Sequence, residues 1–466
     1  MIPANHRVVR GAMAMCLLAL LLALPGRDNS PAAIRFRNVA ANAGIRFVLE
    51  NDPTARKHLV ETMAGGVAAF DYDGDGLTDI YFTNGGSLPS LEKTSPRYWN
   101  RLYRNLGGFR FQDVTESAGV AGAGYSMGAA AADYDNDGHV DLFVAGVGRN
   151  ILYHNRGDGT FEDVTATSGI FDSSSKSLGV ALLDYDQDGW PDLVVANDTQ
   201  PNKLYRNNRN GTFKEVAVDA GVAFSTDGKA RAGMGVDTAD FTNSGAQGIA
   251  ITNFDNEMLG LYRPSGKGAY DDAAIAAGVG APTKSMLGFG CVFADFDLDG
   301  SLDLAIANGH IDDTVRNIRG NVGYAQPPQL FLNQGKGMFR DATSEAGPDF
   351  SQPKVGRGLA YADFDRDGDV DLLLTTNNGP AYLFRNDQLS NGQGANQSIR
   401  LRLVGTQSNR DAIGAVVRLE SGGITQSRLV KSGCSYLSQS ELPLTFGVGK
   451  KDQADRIVVQ WPNGRT

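Results

Sequence analysis

Short apolar runs alternate with acidic, glycine-rich turns along most of this chain. Val67-Ala68-Ala69-Phe70 precedes one such turn and Ile80-Tyr81-Phe82 follows it. Runs of this length, bounded by Gly and Asp, predict β-strands joined by tight turns. Two further strands follow each pair. One carries a Leu-aromatic step, as in Leu102-Tyr103-Arg104-Asn105, Leu152-Tyr153-His154-Asn155, Leu204-Tyr205-Arg206-Asn207, Leu261-Tyr262-Arg263-Pro264, Leu330-Phe331-Leu332-Asn333 and Leu383-Phe384-Arg385-Asn386. The other reads aromatic-x-acid-aliphatic, as in Phe111-Gln112-Asp113-Val114 and Phe161-Glu162-Asp163-Val164. The acidic turns start 51 to 68 residues apart, which suits a four-stranded propeller blade with insertions.

One copy of the last strand is displaced. Phe36-Arg37-Asn38-Val39 lies upstream of the first turn, whereas the last unit has only three strands. A ring of blades must join its first and last members or leave sheet edges open. The N-terminal strand can complete the last blade. The expected fold class is therefore all-β, a β-propeller with six blades; a seventh requires the C-terminal strands to supply one.

The turns carry the chemistry. The pattern D-x-D-x-D-G-x-x-D occurs five times, with carboxylates at positions 1, 3, 5 and 9 and Gly at position 6. A hard divalent cation takes six to eight oxygen ligands, and several carboxylates on one curled loop supply them. An EF-hand would place Glu at position 12, but that position is Phe82, Val144, Val195, Ile306 or Leu374. The loop thus joins strands, with Asp at position 9 closing the site and the backbone carbonyl at position 7 completing it. The expected ligands are Asp71, Asp73, Asp75, Leu77 and Asp79; Asp133, Asp135, Asp137, His139 and Asp141; Asp184, Asp186, Asp188, Trp190 and Asp192; Asp295, Asp297, Asp299, Ser301 and Asp303; and Asp363, Asp365, Asp367, Asp369 and Asp371. The expected cofactor is Ca2+ at about five sites. A metal-free Asp/Gly hairpin is the plainer alternative, but four carboxylates on one empty turn repel. A further loop, Asp240 to Gly248, keeps position 1 and the turn Gly and loses the other acids. The hairpin therefore tolerates their loss.

The formal charge of −10 changes meaning in this light. Five divalent ions would add about +10 and roughly cancel it. Nothing points to nucleic acid, since no basic run occurs. Arg7 and Arg10 followed by the apolar stretch Met13 to Leu24 predict a signal peptide over residues 1–26, with an uncleaved anchor as the alternative and no membrane span in the mature chain. Cys16 lies in that stretch. Cys291 is expected as a buried free thiol on a strand entering an acidic turn, and Cys434 falls in the C-terminal segment; a bridge between them is not expected. The expected setting is secreted: extracellular, periplasmic or on the outer surface.

The composition shifts after the last unit. A polar stretch from Asp387 to Gln397 reads as a linker between a propeller over 35–390 and a small β-sandwich-like module over 398–466. Alternating strands without acidic turns run over Ile399–Val404, Ala415–Leu419, Ile424–Val430, Pro443–Val448 and Arg456–Trp461. Four ordered motifs occur here: Asn409-Arg410-Asp411-Ala412-Ile413-Gly414-Ala415, Ser435-Tyr436-Leu437-Ser438-Gln439-Ser440, Phe446-Gly447-Val448-Gly449 and Val459-Gln460-Trp461-Pro462-Asn463-Gly464. They resemble the ASPIC/UnbV domain, and the upstream units resemble FG-GAP/VCBS repeats of integrin-type propellers and of secreted cartilage-acidic-protein relatives. The resemblance implies an extracellular, calcium-loaded propeller of adhesion or matrix type, with no catalytic residues to carry over. Members usually continue past the Trp-Pro-x-Gly turn, so a truncated last domain is expected.

Catalysis has little footing. His6, His58, His139, His154 and His310 lack zinc-type spacing with a second ligand, and no G-x-S-x-G elbow occurs. His310, beside Asp312 and Asp313, is the one candidate for acid–base work, in an exported enzyme acting on polysaccharide. A second candidate is a ring of Lys176, Arg231, Lys284 and Arg357, each shortly before the first strand of a different blade, which could bind an anionic ligand at the channel mouth. The isolated, solvated basic side chain is the plainer reading of each. The reading reached is a secreted, calcium-binding adhesion or recognition module whose partner is an extracellular or cell-surface protein or glycan.

Overall fold

The computed structural model describes residues 34–165, 177–210, 212–266, 268–388 and 396–466. The signal peptide over 1–26, Lys176 and residues 389–395 of the linker lie outside the described residues.

Among the described residues, six four-stranded antiparallel sheets form blades of a β-propeller. In blade one the strands run from inner to outer as Val67–Phe70, Asp79–Phe82, Arg101–Asn105 and Phe111–Asp113. Blades two to five repeat this meander, because short connections favour antiparallel neighbours. Blade six supplies Gly356–Ala362, Asp371–Thr376 and Tyr382–Asn386, and the N-terminal strand Phe36–Asn38 completes it. Phe36 lies opposite Asn386 and Asn38 opposite Phe384. The displaced strand closes the ring as expected from the sequence.

The apolar core is divided among the gaps between blades. Phe82 and Leu373 meet between blades one and six, Tyr72 and Phe161 between one and two, and Leu183 and Ile249 between three and four. Phe241 and Phe339 pack between four and five, and Phe36 and Phe296 between five and six. One contact recurs. The aromatic residue at position 2 of an acidic turn packs on the outer-strand Phe of the next blade. The ring centroids lie 6.3 Å apart for Tyr72–Phe161, 6.0 Å for Phe241–Phe339, 5.7 Å for Phe36–Phe296 and 6.0 Å for Phe111–Phe364. The counterparts between blades two and three, Tyr134 and Phe213, are instead 53% and 46% exposed.

The C-terminal segment forms a small module of two sheets. Gln397–Leu401 pairs with Leu444–Gly449, and Val416–Ser421 pairs with both Ile424–Leu429 and Arg456–Gln460. Val417, Leu419, Phe446 and Val448 are buried together inside it.

A loop of this module enters the propeller axis. Inner strands leave one edge unpaired, and the stretch Ser435 to Glu441 uses those edges. Ser435 and Val236 exchange backbone bonds of 2.7 and 3.0 Å; Leu437 accepts from Ala129 at 3.2 Å, and Gln439 exchanges bonds of 2.9 and 3.0 Å with Val67 and Ala69. The Tyr436 hydroxyl donates to the Met63 carbonyl at 2.6 Å, and its ring sits edge-on to Phe289 at 4.8 Å. Glycines let the loop come this close. A Cβ on Gly66 would stand 2.4 Å from the Leu437 carbonyl oxygen, and one on Gly290 2.8 Å from Ser435 Oγ. The plug is thus a loop of the C-terminal module packed into the core of the propeller. Cys434, at its base, is buried with residues of blades five and six, and burial pushes its thiol up to about 11. Cys291 and Cys434 are both free and buried.

Candidate metal centres

The intact acidic turns share a local geometry that follows from their residues, except that in blade six Asp363 pairs with Arg400. The position-1 carboxylate folds the turn. Asp71, Asp184 and Asp295 each accept from the N–H of the turn glycine at 2.9 Å. The degenerate loop keeps this bond, Asp240 accepting from Gly245 at 2.7 Å. Position 1 and the glycine therefore suffice to fold the hairpin, which forms in blade four without acids at positions 3, 5 and 9.

The position-9 carboxylate makes two bonds in every intact loop. One oxygen accepts from the position-2 N–H, the other from the backbone N–H of the Asn that ends the third strand. Asp79 accepts from Tyr72 at 3.0 Å and Asn105 at 2.7 Å, and Asp303 from Phe296 at 3.0 Å and Asn333 at 2.8 Å. Asp141, Asp192 and Asp371 repeat this with Asn155, Asn207 and Asn386. In blade four the acceptor position is Gly248 and the donor position is Pro264, which has no N–H. Both halves of this third-strand bond are lost together.

The Asn side chain then reaches sideways. Asn155 Nδ2 donates to Val140 of its own loop at 2.9 Å and to the Tyr72 carbonyl of the preceding loop at 2.8 Å. Asn105 reaches Phe364 at 3.0 Å, Asn333 reaches Phe241 at 2.8 Å and Asn386 reaches Phe296 at 2.9 Å. Neighbouring loops are thereby linked around most of the ring. The repeated Asn is plain in the sequence, but its reach across blades is not.

The carboxylates converge as ligands would. Ligand atoms of Asp71, Asp73 and Asp79 lie within 4.8 Å of one another, as do those of Asp133, Asp135 and Asp137, of Asp184, Asp186 and Asp192, and of Asp295, Asp297 and Asp299. Asp71, Asp186 and Asp363 each bury one carboxylate oxygen with no hydrogen-bond partner. Burial, with neighbouring carboxylates, pushes Asp79 up to about 8 and Asp192 and Asp297 up to about 7. Burial likewise holds Asp303 and Asp371 well above the carboxylate range. Burial disfavours bare charge on these acids, and an all-oxygen donor set fits a hard divalent cation. At position 7 the backbone N–H turns to the position-5 acid, as from Leu77 to Asp75 at 2.8 Å, from His139 to Asp137 at 2.8 Å and from Ser301 to Asp299 at 2.7 Å. Trp190 and Asp369 do the same toward Asp188 and Asp367.

The C-terminal module lies against these loops. Arg402 pairs with Asp71 at 3.0 Å, Arg400 with Asp363 at 3.0 Å and Glu441 at 2.6 Å, and the Gly447 N–H donates to Asp295 at 3.1 Å. Asp411 accepts from the Asp133 N–H at 2.8 Å. None of these partners was visible in the spacing of the turns.

The expected basic ring is corrected by the structure. Arg357 is 0% exposed and donates to the carbonyls of Thr62, Gly309, Gly356 and His310, with its guanidinium 4.0 Å above the Phe289 ring. Burial lowers it to about 10. Arg231 is buried against Asp272 at 3.0 Å, and Lys284 is exposed. Arg357 lies within the inner strand Gly356–Ala362, and its guanidinium faces packed backbone carbonyls. His310 is also buried: its Nδ1 accepts from the Asp312 N–H at 2.9 Å, and its Nε2 lies 3.8 Å from Asp255, which Arg319 also holds.

The fold and the repeated loops define a β-propeller built from FG-GAP-type units. The FG-GAP-like repeat matches residues 71–144, 133–195, 184–251 and 320–374, and the ASPIC and UnbV domain matches residues 405–466. The chain belongs to this family of FG-GAP repeat proteins with an ASPIC/UnbV domain. It is 28% identical to cartilage acidic protein 1 of Xenopus tropicalis over 431 residues, covering 86% of this chain and 61% of the frog protein. It is 28% identical to the Homo sapiens protein over 439 residues, covering 86% of this chain and 60% of that one. The chain thus spans about three-fifths of the length of these relatives. The structure of an Agrocybe aegerita lectin that recognises non-reducing terminal N-acetylglucosamine aligns with a TM-score of 0.35 and 17% identity, over 70% of this chain and 80% of the lectin; a likeness this distant carries no argument.

Proposed function

We propose that this chain is an extracellular recognition module in which calcium holds five blade hairpins rigid, and that its role is binding to a surface protein or glycan, not turnover. The observation that carries the calcium reading is the buried, unpartnered oxygen on Asp71, Asp186 and Asp363 within converging acidic loops. The ion would supply charge neutralisation and bridge the carboxylates, while the chain's own backbone bonds set the turn beforehand. The name of the relatives, cartilage acidic protein, supports a setting in extracellular matrix. Among the described residues no helix is long and apolar enough to cross a membrane. Binding is favoured over polysaccharide chemistry because His310 is shut in by Asp255, Asp312 and Phe254.

The test is binding of the purified chain to arrays of glycans and extracellular proteins, with calcium and with chelator, alongside assays for sugar release. Calcium-dependent retention without product supports the proposal. Saturable product release abolished by His310→Ala overturns it.

A further inference from the structure

One position in the repeat differs from blade to blade and faces the acidic loop. It is the residue before the third-strand Asn: Arg104, His154, Arg206, Arg263, Leu332 and Arg385. In blade one Arg104 Nε lies 2.7 Å from Asp73 and its Nη2 3.2 Å from Asp75. With Arg402 on Asp71, three carboxylates of that loop already face a guanidinium. In blade three Arg206 Nε lies 3.0 Å from Asp186, and Arg209 lies 2.8 Å from Asp188. In blade two His154 Nδ1 lies 3.4 Å from Asp135 and 3.2 Å from Asp141. In blade six Arg385 turns away to Asp387 at 2.7 Å, leaving Arg400 on Asp363.

Blade five has no such group. Leu332 occupies the position, and among the described residues no cationic side chain is in ion-pair contact with Asp295, Asp297, Asp299 or Asp303. These acids contact one another, the backbone and Ser301, while Arg428 acts on Asp295 and Asp299, and Arg340 on Asp297, only from beyond ion-pair distance. Their loop is also the most enclosed, with Asp295, Asp297 and Asp303 all buried.

We propose that this third-strand residue grades the loops for calcium: blade five binds tightest because Leu332 leaves its carboxylates with no cation in contact, and blades one and three bind weakest because Arg104 and Arg206 already contact theirs. The proposal rests on the calcium reading above and goes beyond it by assigning an order. The physical reason is competition. A guanidinium within contact distance of the ligating acids offsets their charge and must be displaced or tolerated by the incoming ion.

The test is calcium titration of the full chain, counting bound ions by native mass spectrometry and resolving affinity classes by calorimetry. Leu332→Arg is expected to remove one ion from the tightest class by weakening it about tenfold or more. Arg104→Leu and Arg206→Leu, at half-buried third-strand positions, are expected to move one ion each from the weakest class to a tighter one. Terbium luminescence excited through tryptophan gives a separate reading for blade three, where Trp190 sits in the loop. There Arg206→Leu is expected to tighten terbium binding. If Arg104→Leu and Arg206→Leu lose ions or leave affinity unchanged, the arginines support the ligands instead of competing, and the proposal is overturned. A wild-type chain that binds no calcium overturns the calcium reading itself, whereas bound ions with an unaltered order overturn only the grading.

Discussion

The side-chain amide of Asn155 in blade two holds the Tyr72 carbonyl in the acidic loop of blade one at 2.8 Å. One residue thereby joins two loops, since the same amide holds Val140 beside its own Asp141. Three other blades repeat the arrangement through Asn105, Asn333 and Asn386. Removing such an amide leaves two buried carbonyls without donors. Asn386→Ala should therefore cost about 2–4 kcal/mol of stability in urea unfolding. Asn207 reaches only the Pro191 carbonyl of its own loop, so Asn207→Ala should cost about 1 kcal/mol.

The contribution of calcium separates from that of the turn itself. Asp240 folds its hairpin without acids at positions 3, 5 and 9, so the blade does not need them for shape. Asp135→Ala combined with Asp137→Ala should lower the melting temperature in calcium and hardly change it in excess chelator. An equal loss in both conditions would mean that these acids act on the fold directly.

Acidity should act in opposite directions with and without metal. Burial raises the carboxyls of Asp79 to about 8 and Asp192 to about 7, above their unfolded range. The native chain then binds more protons than the unfolded one, and stability falls as pH rises from about 4 through those values. Melts in chelator should drop between pH 5 and pH 8, by the sense of these shifts. In calcium the ion replaces the protons, so affinity should rise over the same window and the melting temperature should not fall.

The plug is a close fit and should be sensitive to small additions. A Cβ at Gly66 meets the Leu437 carbonyl oxygen at 2.4 Å and the Met127 oxygen at 2.6 Å, neither at the end of a flexible side chain. Gly66→Ala should destabilise the whole propeller by about 1–3 kcal/mol in chemical denaturation. Tyr436→Phe, which keeps the ring against Phe289 and loses the bond to Met63, should cost about 1 kcal/mol.

Local patterns were legible in the chain and distant partnerships were not. The five acidic turns, the four strands of each unit and the displaced Phe36 strand all followed from spacing, because strand alternation and turn chemistry are written in neighbouring residues. The plug was not. Ser435 to Ser440 stands in the sequence only as a motif of the C-terminal module, and its partners Val67, Ala129 and Val236 come from distant blades. Arg357 misled for the same reason. A basic residue before an inner strand looks solvated until the Phe289 ring and four carbonyls are placed around it. His154 and Arg104 lie within the Leu-aromatic repeat, yet only the sheet register brings the third strand beside the turn.

The most direct test of the central claim is a count of bound calcium on the purified full chain, paired with thermal melts in millimolar calcium and in chelator. The account predicts about five ions and a melting temperature that falls clearly when they are stripped. A chain that carries no calcium under these conditions, or that melts identically without it, would contradict the account.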